Sequence, residues 1–384
     1  SPARQWAWPV CRTQLNSQGP HQLTSAGDKG VPQDPQHLGM RAVAMECNGV
    51  NMPGKLRTRA VVQGREVVRI AVFFVVVKYG KIPDEERQEL LPKVDFTLPA
   101  DHPDTVTGLS SGLQLDRPAP LQVRAGGTMW TIRPWRGNVY PEKAPQRTWP
   151  VHYGKAFGTI ELNATHYRIH PPERMAEWAA AMPEDFRFCA KFPAIITHYR
   201  RFNDCGGPTD DFIAGLDALG AKRGPAFIQL PPHFSPKQAD RLLAYLKEWP
   251  RAFEAAVEFR HPGWFGPEPE HAQAVEQVWQ AMLEMGIGAV MSDTALRRDA
   301  LHMRMTAPFL LLRFGGYEGH PSDERRLKDW CTRIKSWQAA GLRSVDLLVH
   351  QPDSIRTPET CRMFSDCVKS ELGLEVRVPA PALF

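Results

Sequence analysis

The chain has 384 residues, of which 42% are hydrophobic and 23% are charged, and its formal net charge is +5. This composition is that of a globular protein with a sizeable core. The small surplus of positive charge does not indicate a nucleic-acid-binding protein. The longest apolar run, Ile70 to Val77, is too short to cross a bilayer, so no membrane partner is expected.

The cysteines and the start of the chain indicate the compartment. The seven cysteines include no Cys-x-x-Cys pair, and their number is odd. Reduced thiols are therefore expected, and a zinc site built from cysteines is not. The chain also begins without a charged stretch followed by an apolar one, so no secretory signal is expected. These patterns predict a cytoplasmic protein.

Residues 1–120 differ in composition from the rest of the chain. Gly, Pro, Gln, Ser and Asp dominate, and neither Gln14 to Gln36 nor Pro99 to Pro120 has a helical or strand period. The exception is Val67 to Tyr79, which is β-branched and predicts a strand or a hairpin with Ala60 to Val62. We therefore expect a disordered or loosely packed N-terminal arm over residues 1–120.

From residue 121 onward, short apolar runs alternate with amphipathic stretches. Helix starts are indicated, for example, at Pro145, Thr209, Pro269 and Thr357. The eight runs that predict strands are Leu121 to Val123, Thr159 to Leu162, Phe186 to Phe192, Ala226 to Leu230, Ala255 to Phe259, Ala289 to Met291, Phe309 to Phe314 and Val345 to Val349. Eight such units over residues 121–384 favour an α/β fold of the TIM-type (β/α)8 barrel class. An open doubly wound sheet is the alternative, although no Gly-x-Gly-x-x-Gly follows a strand.

The fifth run ends in a cluster of polar residues. Ala255 to Val257 reads as a buried strand that stops before Pro262-Gly263, and Glu258, Arg260 and His261 stand at that stop. An acid, a cation and a titratable base at a strand end are typical of an active site in an α/β enzyme.

The other runs end in the same way. Buried polar groups are costly unless they are paired, so their recurrence at strand ends predicts one common site. The further candidates are Glu161, Asn163, Thr165, His166, Lys191, His198, Gln229, Asp293, Arg313, His350 and Gln351.

Each candidate also has a structural interpretation. Glu161 and Glu258 are each consistent with half of a buried ion pair, with Arg260, Arg313 or Lys191 as the partner. Asp293 is consistent with the cap of a helix or turn, and His350 with a hydrogen-bonded core histidine. Lys191 is consistent with a side chain that extends outward along apolar surface.

Aromatic residues in the loops are open to the same two interpretations. Trp135, Tyr140 and Trp264 follow strands and are expected either to wall a pocket or to pack in the core. The arginine pairs Arg200-Arg201, Arg297-Arg298 and Arg325-Arg326 are expected on a solvated surface.

Ordered sequence blocks resemble a known family. The blocks are Trp135-Arg-Gly-Asn-Val-Tyr140-Pro, Thr159-Ile-Glu-Leu-Asn-Ala-Thr-His-Tyr167, Phe188-Cys-Ala-Lys-Phe-Pro193, Phe227-Ile-Gln-Leu-Pro-Pro232 and Val257-Glu-Phe-Arg-His-Pro-Gly-Trp-Phe265, followed by Asp293 and Arg313. From about Trp130 to the end, the chain resembles the YecE-like family, catalogued as domain of unknown function 72. The resemblance implies a TIM-type barrel and no established activity. Gln122 to Gly127 departs from the opening strand of that family, so a weak first strand is expected.

The leading hypothesis is an enzyme of hydrolase, isomerase or lyase type. Paired carboxylates beside a lysine divide acid and base roles, because burial and like charges separate their pKa values. The expected substrate is a small polar or anionic molecule, sugar-like or phosphorylated, since several cations accompany the acids. The predicted catalytic residues are Glu161, Lys191, Glu258 and Asp293. The predicted substrate-binding residues are Asn163, His198, Gln229, Arg260, His261, Arg313, His350, Trp135, Tyr140 and Trp264.

Two alternatives remain open. Glu161, Glu258, Asp293 and a histidine would suit a divalent metal, although no cofactor is favoured because the neighbouring cations would repel it. The second alternative is a non-catalytic barrel that binds an anionic ligand or a nucleic acid.

Overall fold

The computed structural model describes residues 58–62, 65–69, 82, 84–111 and 120–380. In the first part, strand β1 (Thr58–Val62) pairs antiparallel with β2 (Arg65–Arg69). This hairpin overlaps the predicted one, while residues 70–79 lie outside the described residues. Cys11, Cys47 and most of the predicted arm also lie outside them.

The remaining strands are short and buried, as the apolar runs predict. They are β3 (Gln122–Gly126), β4 (Thr159–Leu162), β5 (Arg187–Ala190), β6 (Ala226–Gln229), β7 (Ala255–Glu258), β8 (Gly288–Ala289), β9 (Met291–Asp293), β10 (Phe309–Gly315) and β11 (Ser344–His350). Each of the eight predicted runs contains or overlaps a strand, and the sixth run overlaps both β8 and β9.

Every pairing among β3 to β11 is parallel. One sheet has the order β3-β11-β10-β9, a second joins β4 to β5, and a third has the order β6-β7-β8. Parallel strands need long crossovers, and the helices between them supply these. The fold is therefore mixed α/β with parallel sheets, as predicted.

The helices alternate with the strands and begin close to the predicted start signals. The helices within residues 120–380 are α3 (Trp149–Ala156), α4 (Ala164–Tyr167), α5 (Pro172–Ala180), α6 (Gly206–Asp217), α7 (Ala239–Glu248), α8 (Pro269–Met285), α9 (Pro321–Ala339) and α10 (Thr357–Leu372). Five of them have proline in the first turn, where its missing N–H costs no helical hydrogen bond. Gly286 and Gly373 end α8 and α10 in the left-handed conformation.

The strands contribute to two apolar clusters. Val257, Leu312 and Leu347 belong to the large cluster that includes helix residues such as Leu242 and Trp330. Cys189, Phe227, Ala256, Val290, Ala307, Phe309, Leu311 and Leu348 form a smaller, separate cluster. Because side chains alternate along a strand, β5, β6, β7, β10 and β11 each place one face in each cluster.

Strand β3, the first strand of residues 120–380, is well formed. Residues 122–126 pair with residues 344–348 of β11 over their whole length. A Cβ at Gly126 would lie 1.8 Å from the backbone oxygen of Thr159, so only glycine allows this approach. The expectation of a weak first strand is therefore wrong.

Residues 84–111 of the predicted arm are packed against later residues of the chain rather than loose. Helices α1 (Asp84–Leu90) and α2 (Thr105–Ser110) lie in residues 84–111, where Leu91 and Phe96 are buried with Tyr317. Thr105 Oγ1 donates to Met303 O over 2.5 Å. The anchors are isolated apolar residues without a period, which explains why the sequence did not reveal them.

The described cysteines 189, 205, 331, 361 and 367 are free thiols. No helix in the described residues combines the length and the hydropathy that a membrane span requires.

Candidate active site

One arginine joins two carboxylates at the carboxyl ends of the strands. Arg313 of β10 donates from Nε to Glu161 Oε2 over 2.9 Å and from Nη1 to Glu258 Oε1 over 2.5 Å. Glu161 lies in β4 and Glu258 ends β7, and each residue is only 1% exposed. Three predicted site residues from distant stretches of the chain therefore meet at one point.

Both carboxylates are held ionised. Burial alone would raise the pKa of each, but the charges of Arg313, His350 and Lys191 and the hydrogen bond to His350 together outweigh it and keep the pKa of Glu161 well below its usual range. At Glu258 burial also raises the pKa, but the charges of Arg260 and Arg313 and the hydrogen bonds from Ser292 and Arg260 together lower it to about 2. The ion-pair interpretation of the two glutamates agrees with this geometry.

His350 and Ser292 complete the hydrogen bonding of this charged centre. His350 Nε2 lies 2.8 Å from Glu161 Oε2 and 2.9 Å from Arg313 Nη2, and Ser292 Oγ donates to Glu258 Oε1 over 2.6 Å. The His350 side chain is 33% exposed, so it forms the solvent-facing edge of the centre. Burial, followed by the charge of Arg313, lowers the pKa of His350.

Lys191 and Gln229 retain unused hydrogen-bonding capacity beside this centre. Lys191 follows β5, and its Nζ lies 5.7 Å from the ring centroid of Phe227. Gln229 ends β6. Both residues are buried, yet neither side chain forms a hydrogen bond or ion pair within the described residues. Burial lowers the pKa of Lys191 to about 8, although the charge of Glu161 raises it.

Two histidines adjoin Lys191. His166 Nδ1 lies 2.7 Å from the backbone oxygen of Phe192, and His198 Nδ1 lies 2.8 Å from Thr197 Oγ1. The two imidazole centroids are 4.9 Å apart. Burial, followed by the Lys191 charge, lowers the pKa of His166 to about 4. Burial, followed by the His166 charge, lowers that of His198 to about 4.

The loop that carries His198 has a costly backbone. It begins as a π-helix, Ile195–Tyr199, and continues through Arg201, Phe202 and Asp204, whose φ angles are 48°, 67° and 47°. Non-glycine residues avoid this region unless the surroundings hold them there. Phe202 is buried and anchors the loop, which fixes the position of His198.

Acid should destabilise the protein through these two imidazoles. A histidine with a folded pKa of about 4 and an unfolded pKa of 6.5 binds its proton only in the unfolded state between those values. Stability is therefore complete above pH 6.5 and decreases as the pH falls toward 4, by about 1–3 kcal/mol per histidine. Urea unfolding of the wild type and of His166→Asn/His198→Asn across this range measures the effect.

The double variant should show a smaller loss of stability with acid than the wild type. The partly exposed His152→Asn substitution serves as the matched control and should leave the pH profile unchanged. Equal pH profiles for the double variant and the wild type would contradict the assignment.

The remaining polar candidates lie around the centre but are bound locally. Arg260 Nε donates to Glu258 Oε2 over 2.8 Å. His261 Nδ1 accepts from a backbone N–H two residues later, 3.0 Å away, and so stabilises the turn after β7. Asn163 Nδ2 donates to the backbone oxygen of Thr128 over 3.3 Å.

Asp293 does not belong to this centre. Its buried carboxylate accepts from Arg326 Nη1 over 3.2 Å and from Trp330 Nε1 over 2.8 Å, and it also pairs with Arg298. The neighbouring Ser292 reaches Glu258 instead. Successive side chains of β9 point to opposite faces. Ser292 therefore faces the charged centre, and Asp293 is not placed for the catalytic role predicted for it.

The alternative metal ligands are not brought together. No group of three or more His, Cys, Asp or Glu side chains among the described residues is arranged to hold a metal ion. Asp293 points away from the centre, and Arg313 binds both Glu161 and Glu258.

The three aromatic candidates are core residues rather than a pocket wall. Trp135, Tyr140 and Trp264 are buried, and each uses its polar atom on the backbone. Trp135 Nε1 lies 3.2 Å from Ser354 O, Tyr140 Oη donates to Trp130 O over 2.6 Å, and Trp264 Nε1 donates to Phe234 O over 2.8 Å. Buried aromatic residues usually satisfy their polar atom in this way.

The arginine pairs are also not uniformly solvated. Arg298 and Arg326 both pair with the buried Asp293, whereas Arg200, Arg201 and Arg325 are exposed. The prediction of a solvated surface therefore holds for only part of the set.

Two groups of the centre were missed from the sequence. Ser292 bonds Glu258, and the Phe227 ring lies beneath both Lys191 and Arg313, whose Cζ is 5.0 Å from its centroid. The alternation of side chains along a strand could have revealed Phe227, because Phe227 lies on the same face of β6 as the predicted site residue Gln229.

Comparison with known proteins identifies relatives without a stated activity. The family described as "Protein of unknown function DUF72" matches residues 124–382. UPF0759 protein YecE of Escherichia coli O157:H7 is 28% identical over 244 residues, which cover 59% of this chain and 88% of that protein. UPF0759 protein YunF of Bacillus subtilis (strain 168) is 28% identical over 137 residues, which cover 34% of this chain and 49% of that protein.

Solved structures of the same family are also similar. A DUF72 family protein of Thermotoga maritima MSB8 has a TM-score of 0.49 and 19% identity, and the match covers 65% of this chain and 99% of that one. A DUF72 family protein of Enterococcus faecalis V583 has a TM-score of 0.48 and 19% identity, and the match covers 67% of this chain and 99% of that one.

Proposed function

The chain belongs to the YecE-like DUF72 family, and we propose that it is an enzyme that performs acid–base chemistry on a small anionic molecule at its strand ends. Lys191 is the group that carries the proposal. It is an ammonium with 8% exposure and no hydrogen-bond acceptor in the described part of the chain. Its lowered pKa of about 8 suits proton transfer near neutral pH.

The architecture of the proposed enzyme is a closed (β/α)8 barrel. Backbone bonds between the sheets support closure, because Gly158 N donates to Ala125 O over 3.1 Å and Phe192 N donates to Phe227 O over 2.9 Å. The first bond links β3 with the residue before β4, and the second links the second residue after β5 with β6. In such a barrel, ligands bind at the carboxyl ends of the strands.

The substrate class follows from the balance of charge. Lys191, Arg260 and Arg313 supply three positive charges, and Glu161 and Glu258 supply two negative charges. The site therefore has a net charge of one positive unit. A carboxylate or phosphate group on the substrate would neutralise it. The free amide of Gln229 would bind a hydroxyl or carbonyl oxygen of the same molecule.

Isomerase or lyase chemistry suits this site better than hydrolysis. Glu161 and Glu258 are both committed to Arg313 as anions, so neither holds a proton to donate to a leaving group near neutral pH. Lys191 and the partly exposed His350 remain as carriers of a proton.

Binding without chemistry is the second candidate. One observation favours it: the two glutamates are neutralised by Arg313 and almost sealed from solvent. A barrel that captures an anion through Lys191 and Gln229 would need no proton transfer.

Deuterium incorporation would separate these functions. The full chain is incubated in D2O with hydroxy acids, keto acids and sugar phosphates, and mass spectrometry reads isotope uptake and new products. At least one compound should react, and Lys191→Met should slow it at least about 100-fold, because a general base contributes 10²–10⁴-fold. The exposed Lys237→Met is the matched control and should keep the full rate.

The negative outcomes are also informative. A compound that binds and loses affinity in Lys191→Met, without isotope uptake or product, would replace the enzyme with the binding function. A reaction that Lys191→Met leaves unchanged would contradict the role given to this lysine.

A further inference from the structure

Two buried lysines in the described residues differ in how their charge is satisfied. Lys191 and Lys222 are both 8% exposed. Lys222 Nζ donates to Ala179 O over 3.0 Å and to Met182 O over 2.9 Å, and it lies 3.1 Å from a carboxylate oxygen of Glu184. These three partners replace the water that its ammonium loses on burial.

The Lys191 ammonium has no such partners. Its neighbour is the face of the Phe227 ring, and no acceptor lies within hydrogen-bond distance of Nζ among the described residues. A buried ammonium without acceptors is costly, whereas a neutral amine is not. The site therefore raises the neutral, nucleophilic fraction of this side chain above that of an exposed lysine.

The surrounding charges act against one another. Glu161, the strongest of them, and Glu258 attract a proton on Lys191, whereas Arg313 and Arg260 repel it, so burial is the main cause of the lowered pKa. Within the described residues neither carboxylate forms an ion pair with Lys191; their oxygens accept from arginines, Ser292 and His350 instead. They remain close enough to stabilise a cation that forms on the lysine nitrogen.

We infer that Lys191 is a nucleophile that forms an imine with a carbonyl compound bearing an anionic group. This inference rests on the proposed function and names its covalent step. A desolvated lysine beside other cations is the environment in which amines attack carbonyl carbons.

The step balances without an external oxidant or reductant. The neutral amine attacks the carbonyl carbon, a C–N bond forms, the C=O π bond breaks, and one proton passes from the nitrogen to the oxygen to give a neutral carbinolamine. One further proton is added to that hydroxyl, the C–O bond breaks as water leaves, and the nitrogen lone pair forms a positively charged C=N bond on Nζ. We assign the relay of these protons to His350, because it is partly exposed to solvent and bonded to Glu161.

Reductive trapping tests the inference. The full chain is incubated at pH 7 with glyoxylate, a small anionic aldehyde, and sodium cyanoborohydride, and peptide mass spectrometry locates the carboxymethylated lysines. Lys191 should be modified at least about tenfold faster than the exposed Lys237. With a pKa of about 8, roughly a tenth of it is neutral at pH 7, which is several hundred times the fraction for an ordinary lysine.

Lys222 provides the internal control for burial, and it should remain unmodified. Lys191→Arg should abolish the fast modification while thermal unfolding shows that the variant is folded. Propionaldehyde, which lacks the anionic group, should react at Lys191 more slowly than glyoxylate.

Two results would overturn the inference. Lys191 would lack the proposed reactivity if it were modified no faster than Lys237, or if Lys222 reacted equally well. If trapping failed but Lys191→Met still abolished deuterium uptake, the imine would be refuted and the acid–base function would stand.

Discussion

Replacing Arg313 with methionine should destabilise the protein by at least about 3–5 kcal/mol, because it strands two buried carboxylates. Glu161 and Glu258 would lose their shared counter-ion while remaining 1% exposed. Urea unfolding at pH 7 would measure the loss as a lower midpoint. The deficit should shrink toward pH 5, since without Arg313 the glutamates protonate more readily.

Two variants make this prediction specific. Arg174→Met removes an arginine whose side chain is 54% exposed and paired with Glu177, so it should change stability by no more than about 0.5 kcal/mol. The triple variant Glu161→Gln/Glu258→Gln/Arg313→Met removes all three charges and should recover part of the loss. A loss below about 1 kcal/mol for Arg313→Met would contradict the buried ion-pair network.

The fold was largely predictable because its signals are local. Runs such as Thr159 to Leu162 and Ala226 to Leu230 are apolar, short and bounded by turn residues, and the structure contains a strand in each. Helix α8 begins at Pro269 and ends before Gly286, where the sequence places a start and a stop signal. Signals of this kind depend on only a few neighbouring residues.

The meeting of the strand ends was predictable for the same reason. Glu161, Lys191, Glu258 and Arg313 each stand where an apolar run stops, and parallel strands bring such ends to one edge. The sequence did not predict that Arg313 would bind both glutamates. That depends on distances between strands that are far apart in the chain.

The predictions of side-chain roles were wrong where a role depends on the exact register of a strand or on a single tertiary contact. Asp293 and Ser292 both follow Met291, and only the orientation of β9 determines which of them reaches Glu258. The indole N–H of Trp264 bonds Phe234 O, a contact that its position in a loop does not reveal.

The prediction that residues 84–111 are loosely packed was wrong for a related reason. Its attachment depends on single side chains such as Phe96, which has no periodic neighbours in sequence. Arg298 Nη2 donates to the backbone oxygen of Phe96 over 3.1 Å. The groups that bind this segment therefore come from a distant part of the chain.

The adjacent pair Arg325-Arg326 provides the second large effect, because the sequence treats the two residues alike and the structure does not. Arg326 is fully buried in α9, donates to Asp323 Oδ1 over 2.7 Å and to Asp293 Oδ1 over 3.2 Å, and lies 4.7 Å above the Phe96 ring. Arg326→Met leaves both aspartates short of a partner and should cost about 3–5 kcal/mol, measured by urea unfolding.

The same substitution should loosen residues 84–111, because the guanidinium that stacks on Phe96 is lost. Limited proteolysis should then cut this segment faster in Arg326→Met than in the wild type. Arg325→Met, one position away and exposed, should change stability by no more than about 0.5 kcal/mol and leave the cleavage rate unchanged. Arg326→Lys should fall between them, since an ammonium keeps the charge but cannot reproduce the planar set of donors. Equal effects of the methionine substitutions at both positions would show that Asp293 and Asp323 do not depend on this arginine.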